Sequence, residues 1–281
     1  MEPNVQTFIG CDAAYEDAAM VIFGAPFDST TSYRPGTRFA SSAVRAESIG
    51  IETYSPYQRA DLEDIAVFDA GDLDLPFGNA GRVLDTIEAF SGKLHDDGKM
   101  PVMIGGEHLL TFGAVRAAAA RYPDLRVLHF DAHADLRRDY MGEALSHATV
   151  MRRVWDVVGD GRIYQFGIRS GSREEFEWGR EHVKMEAFNA HGTDSCAEAV
   201  GAYPVYISVD LDVIDPSEFP GTGTPEAGGL SFRVLHDALL SLKGLDVIAF
   251  DICELSPHYD PSGASTALAC KLLREMLLAF S

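Results

Sequence analysis

Cysteine is scarce and scattered: Cys11, Cys196, Cys253 and Cys270 are the four in 281 residues. No two stand in a CxxC pair, which leaves no zinc-finger spacing, and isolated thiols in a chain of this size read as buried small hydrophobes in a reducing compartment. Basic residues are also few. Lys and Arg number 23 against 43 Asp and Glu, a formal net charge of −20. Long-range repulsion then argues against nucleic acid or an anionic membrane as partner, and favours a cationic ligand or a metal ion. No apolar run approaches the length that spans a bilayer, and Met1-Glu2-Pro3-Asn4 lacks the basic and apolar regions of a secretory signal. The expected setting is the cytoplasm. Repeats, low-complexity tracts and Pro/Gly/Ser linkers are missing as well, so residues 1–281 are expected to form one domain. With 46% hydrophobic and 23% charged residues, the composition excludes intrinsic disorder.

Short apolar runs recur along the chain. They are Met20–Phe23, Ile65–Phe68, Val102–Ile104, Val127–Phe130, Ile163–Phe166, Val205–Val209 and Val247–Phe250, with Lys184–Phe188 a weaker eighth. Continuous β-rich runs suit strands buried on both faces, as in a parallel sheet. Helical patterns lie between them. Val83, Leu84, Ile87, Phe90 and Leu94 share one face, Ser172-Arg173-Glu174-Glu175 spells a capping box, and 231–243 and 264–280 read as helices. Such alternation predicts an α/β fold with a mostly parallel sheet, either open or closed.

Several predicted strands stop and are followed at once by Asp, His or Gly, and strand carboxyl ends are where open α/β sheets bind ligands. Asp131, His133 and Asp135 alternate with two alanines, which puts all three on one side of an extended segment. Asp210 and Asp212 alternate likewise, and paired carboxylates repel each other unless a cation lies between them. Asp215, before Pro216, is assigned to the turn. Gly105-Gly106 let the backbone turn after the third strand and aim His108 into the same crevice. Two imidazoles and four carboxylates, without a thiolate, form a donor set suited to Mn²⁺, with Zn²⁺, Fe²⁺ and Co²⁺ also compatible. A pair of such ions is a device for hydrolysis at a polar carbon or phosphorus.

These motifs resemble the ureohydrolase family of arginases and agmatinases. Gly105-Gly106-Glu107-His108 resembles its first signature, Asp131-Ala132-His133-Ala134-Asp135 the second, and Ser208 to Pro216 with Pro220 to Gly229 the third. Ser32 to Phe39 is similar to an early loop of the family, and Asp251 to Pro257 to the segment that holds the substrate guanidinium. The pattern is most similar to the bacterial agmatinase branch. The resemblance implies a three-layer α/β/α domain with eight strands, two Mn²⁺ per chain, and a trimer or hexamer. One ion would take His108, Asp131, Asp135 and Asp210, and the other Asp131, His133, Asp210 and Asp212. Two positions depart from the family pattern: Glu107 replaces the usual Asp, and Ala148 replaces the Gly of Ser-His-Gly. Glu107 is expected to orient His108.

Within that frame Asp135 is expected to hold the attacking water, Glu254 to pair with the guanidinium, and His147 to carry a proton to the leaving amine. Arg137 is a candidate substrate contact. It would suit a carboxylate-bearing guanidine such as guanidinobutanoate or arginine, whereas the acidic chain favours agmatine. A zinc deacetylase-like enzyme and a non-catalytic metal-binding relative are the other readings. Cys253 is assigned to core packing and His129 to packing or to support of Asp131. His95, His182, His191 and His236 have no motif around them.

Overall fold

The computed structural model describes residues 6–281; Met1–Val5, and with them the N-terminal segment read above, lie outside the described residues. Among the described residues ten strands are formed: β1 Met20–Ala25, β2 Tyr54–Ser55, β3 Ala60–Asp61, β4 Val67–Asp72, β5 Met100–Gly105, β6 Arg126–Phe130, β7 Ile163–Ile168, β8 Lys184–Ala187, β9 Val205–Asp210 and β10 Val247–Cys253. Eight of them build one sheet in the order β4-β1-β5-β10-β9-β6-β7-β8, every neighbouring pair parallel. The sheet is open, with β4 and β8 at its edges; β2 and β3 form a separate two-residue antiparallel pair.

Side chains of the central strands alternate between two apolar cores. Ile22, Ile104, Phe130 and Ile207 point to one side, where α1 (Ala40–Glu47), α6 (Thr193–Val200), α7 (Phe232–Ser241) and α8 (Ala264–Phe280) pack. Val21, Met103, Val127 and Tyr206 point to the other, against α2 (Ala80–Asp96), α3 (Thr111–Arg121), α4 (Val150–Val158) and α5 (Arg173–His182). Both faces are therefore covered, which gives the three-layer α/β/α arrangement and explains why the strands read as unbroken apolar runs.

The expected helix 264–280 is formed as read, and 231–243 shortens to α7, with Ser231 accepting from the backbone of Val234. Ser172 and Glu175 make the expected capping box on α5. The largest difference is in β4, which begins two residues into the Ile65–Phe68 run, at Val67, and ends in Ala70-Gly71-Asp72. Buried Asp69 explains the extension past the apolar residues. Its carboxylate accepts from Phe8 N and from the Arg45 guanidinium, a pairing that makes a charged strand residue tolerable inside.

The strand order decides where the chemistry gathers. β5, β10, β9 and β6 are consecutive neighbours at the centre of the sheet. Because they are parallel, the segments leaving their carboxyl ends, with His108, Glu254, Asp210 and Asp131, emerge side by side, though up to 146 positions separate them in sequence. Among the described residues no helix is long and apolar enough to cross a membrane.

Candidate active site

The Gly-Gly pair after β5 works by close approach. A Cβ on Gly106 would lie 2.0 Å from the Phe27 carbonyl oxygen, and one on Gly105 would crowd Cys253 Cβ at 3.0 Å. The bare backbone lets Gly106 N donate to Ala25 O and Gly106 O accept from Glu254 N, at 2.9 and 3.0 Å. The exits of β1, β5 and β10 are drawn together in this way. Glu254, at φ 63°, turns its carboxylate back so that Oε1 accepts from His108 N at 2.7 Å.

His108 Nδ1 is surrounded by acids: Asp131 Oδ2 at 3.0 Å, and Asp135 Oδ2 and Asp210 Oδ2 each at 3.3 Å. It is buried, yet none of these contacts has hydrogen-bond geometry. Asp131 is the hinge of the cluster. Its other oxygen, Oδ1, lies 3.5 Å from His133 Nδ1, which in turn is 3.0 Å from Asp212 Oδ2. Asp131 is thus placed between two imidazoles, each backed by a further carboxylate. Asp210 Oδ1 accepts from Asp212 N at 2.9 Å, across the single 3-10 turn Leu211–Val213 that follows β9.

All six candidate ligands converge, although not by the alternation read from the sequence. Past β6 the chain leaves the sheet, and Asp135 reaches His108 from a left-handed conformation, φ 53°. Asp is among the residues that adopt this region at small cost. Asp210 and Asp212 meet through a turn and a cap, not through strand pleating.

The electrostatics call for a cation. Burial, then the charges of Asp212 and Asp131, hold Asp210 well above the ordinary carboxylate range, and burial with the Asp131 charge raises Asp135 to about 7. Burial acts the same way on Asp131, but the close imidazoles of His108 and His129 outweigh it and hold that carboxylate well below the ordinary range. Groups including His108, Asp131 and His129, and Asp131, His133 and Asp212, place their donor atoms within 4.8 Å of one another, close enough to hold a metal ion. An orphaned buried imidazole nitrogen amid acceptors, with no thiolate required, fits an oxygen- and nitrogen-loving divalent ion. Cys253 is also near His108 and Asp210. Burial pushes its thiol well above the ordinary value, and it is buried against Val209 O, in keeping with a packing role.

Support behind the cluster was largely invisible in the sequence. His108 Nε2 lies 3.0 Å from Ser208 Oγ, and Ser208 donates to Asp251 Oδ1, whose other oxygen accepts from Thr111 and Tyr206. The buried carboxylate fixes the ring so that Nδ1 faces the acids. His129 Nε2 lies 2.8 Å from Asp131 Oδ2 and its Nδ1 meets Gln165, so it supports Asp131 as expected. Asp215 holds its turn by accepting from Ser217, Gly228 and Gly229.

Glu107 does not orient His108. Its extra methylene carries the carboxylate to Thr30, where it accepts from N at 2.8 Å and Oγ1 at 2.6 Å. Thr30 in turn holds His147: His147 N donates to Thr30 Oγ1, and Nδ1 lies 2.9 Å from Thr30 O. A proton on Nδ1 then leaves Nε2 as the free base, 3.3 Å from Ser32 Oγ. Burial lowers the pKa of His147, favouring the neutral ring. Ala148 is not at positive φ, so the missing glycine costs nothing there.

These residues line a cavity of about 230 Å³, shared by His108, His133, Asp135, His147, Asp210 and Glu254. Arg137 is on its wall but does not stand free. Its Nε lies 3.3 Å from Glu175 Oε2, and its guanidinium is 5.2 Å from the Tyr140 ring centre. His182 and His236 sit beside Asp160 and Asp237, and His95 packs on Tyr122, none of them in this cavity.

Comparison with known proteins follows the same lines. The chain is 45% identical over 280 residues to an agmatinase of Bacillus anthracis, covering 98% of this chain and 96% of that protein. It is 36% identical over 292 residues to a guanidinobutyrase of Pseudomonas aeruginosa, covering 98% and 89%. The crystal structure of agmatine ureohydrolase of Thermoplasma volcanium superposes with a TM-score of 0.91 at 38% identity, over 99% of this chain and 94% of that one. The arginase family model matches residues 18–279, so both the sheet and the acid–imidazole cluster at its centre are those of a chain that belongs to the arginase family.

Proposed function

We propose that residues 1–281 act as one ureohydrolase domain that binds two Mn²⁺ and hydrolyses agmatine to putrescine and urea. The observation that carries this reading is the position of Asp131, with one oxygen at His108 and the other at His133, among the buried carboxylates of Asp135, Asp210 and Asp212. His108, Asp131, Asp135 and Asp210 would hold one ion, and Asp131, His133, Asp210 and Asp212 the other. Agmatine is favoured because agmatinases at 43–45% identity stand well above the guanidinobutyrase at 36%, and because Glu175 matches the charge of Arg137. A cytoplasmic homotrimer or hexamer completes the proposal.

A guanidinium carbon is resonance-stabilised and a poor electrophile. The two ions, when bound, supply the charge that lets a water lose its proton near neutral pH. Asp135 accepts a hydrogen bond from that water and orients it. Glu254 pairs with the guanidinium and fixes its plane against the attacking oxygen. A C–O bond forms and the bond to the alkyl nitrogen breaks; Nε2 of His147, a free base at rest, takes up a proton that the attacking water gives up and passes it to the departing amine. Thr30, held by Glu107, keeps Nε2 of His147 turned to the cavity.

The reading is tested by chelation. Metal-free protein should release no urea from agmatine, and Mn²⁺ should restore release at two ions per chain, measured by elemental analysis. Full activity at one ion per chain would sink the two-ion model. Two ions without urea from agmatine, guanidinobutanoate or arginine would leave a non-catalytic relative.

His147→Ala should keep both ions and lose about 10²–10⁴-fold in kcat, the usual contribution of a general acid or base. Turnover at the wild-type rate with saturating agmatine removes His147 from the mechanism.

A further inference from the structure

The wall of the cavity holds a carboxylate that the proposed chemistry does not use. Glu175 is buried, only 3% exposed, and yet lines the cavity. It belongs to the capping box of α5, where Oε2 accepts from Ser172 N at 2.7 Å. Its Oε1 accepts from Leu136 N at 3.1 Å. One side chain thus ties the loop leaving β6 to the start of α5, and Oε2 additionally faces Arg137 Nε at 3.3 Å. Arg137 is further confined by Tyr140, whose ring also meets His147 edge-on at 5.8 Å.

A carboxylate at the tail of a substrate would find this arginine already engaged. To reach its Nη groups, the ligand carboxylate must share the guanidinium with an acid that cannot withdraw, because two backbone amides hold it in place, so two like charges are brought together. Drawing Arg137 away instead would leave that acid buried without its countercharge, which is costly. A tail without negative charge meets no such obstacle, and an ammonium tail finds a fixed carboxylate nearby.

We propose that Glu175 sets the tail specificity of the site: by holding Arg137 it refuses guanidines that end in a carboxylate and admits those that end in an ammonium or an alkyl group. The proposal rests on the ureohydrolase reading and deepens it. Specificity here comes from an unfavourable step imposed on the wrong ligand as much as from a contact with the right one.

Glu175→Gln is the direct test, because glutamine keeps one acceptor, for Ser172 N of the cap, and removes the charge, giving up only the bond from Leu136 N. The ratio of kcat/KM for agmatine to that for guanidinobutanoate should fall at least tenfold, with guanidinobutanoate hydrolysis rising in absolute terms. Adding Arg137→Met should take that rise away. An unchanged ratio, or a rise that survives Arg137→Met, overturns the proposal. A measurement on the wild-type protein does not depend on the variant folding: as competitive inhibitors of agmatine hydrolysis, guanidinobutanoate should bind at least tenfold more weakly than butylguanidine, whose tail is neutral. Equal inhibition constants overturn the proposal even if urea release is intact, whereas absence of urea from every guanidine defeats the ureohydrolase reading instead.

Discussion

Asp210→Asn should abolish urea release and, in the presence of a chelator, raise the melting temperature. The two effects have one cause. Asp210 is buried beside Asp212 and Asp131, and burial together with those charges disfavours its ionised form. An amide removes a charge from that crowd. Its oxygen still accepts from Asp212 N, the bond Asp210 makes at 2.9 Å, and its NH₂ faces the Nδ1 of His108 at the position of an oxygen now 3.3 Å away. For a chain of this size about 1 kcal/mol moves the melting temperature by about 2–4 °C, so a rise of a few degrees is expected. Added Mn²⁺ should stabilise the wild-type protein, by about 2.7 kcal/mol at 100 times the dissociation constant, and should do little for the variant. Turnover should fall by more than about 100-fold, the upper range for groups that only orient a ligand. Scanning calorimetry with and without Mn²⁺ reads both parts. A variant that melts like the wild type in chelator and gains equally from Mn²⁺ would show that Asp210 is not a ligand.

The same trade of stability for chemistry explains how much of the site is legible in the sequence. Strands buried on both faces leave unbroken apolar runs, so Val102–Ile104, Val127–Phe130 and Val205–Val209 are recognisable as strands from residue type alone. The acids and imidazoles follow those runs within a few residues, and parallel strands must bring such ends to one edge. Partners across the sheet leave no comparable mark. Ser208 and Asp251 lie inside apolar strands, and their pairing depends on β9 and β10 being neighbours, with Ser208 opposite Asp251 in register. Nothing local announces that order. Glu107 departs from its expected role for a related reason: its length sends the carboxylate to a loop 77 positions away, where it holds Thr30 and through it His147. The capping box of α5 is plain from its spacing, yet the second task of Glu175, facing Arg137, requires the loop after β6 to fold against that helix.

Glu254→Gln should leave both ions in place and lower kcat/KM for agmatine by roughly 30- to 5,000-fold, the equivalent of about 2–5 kcal/mol for one partner of a desolvated charged pair. The backbone argument comes first. Glu254 takes a left-handed conformation that a glutamate seldom adopts, and the hydrogen bond from its N to Gly106 O holds it there. Such a conformation survives only where the surroundings enforce it, and its result is a carboxylate that bends back to His108 N and lines the cavity. Burial, with the charges of Glu107 and Asp212, raises its pKa to about 8, so an adjacent cation is needed to make the ionised form favourable. A guanidinium supplies that charge with two N–H groups in the matching plane. Glutamine keeps the acceptor for His108 N, which preserves the local fold, but it offers no charge to the substrate. The loss should therefore fall largely on KM, with the metal content by elemental analysis equal to that of the wild type. Loss of metal in Glu254→Gln would make Glu254 a support for His108 instead of a receptor for the guanidinium, and wild-type kcat/KM would remove it from substrate binding altogether.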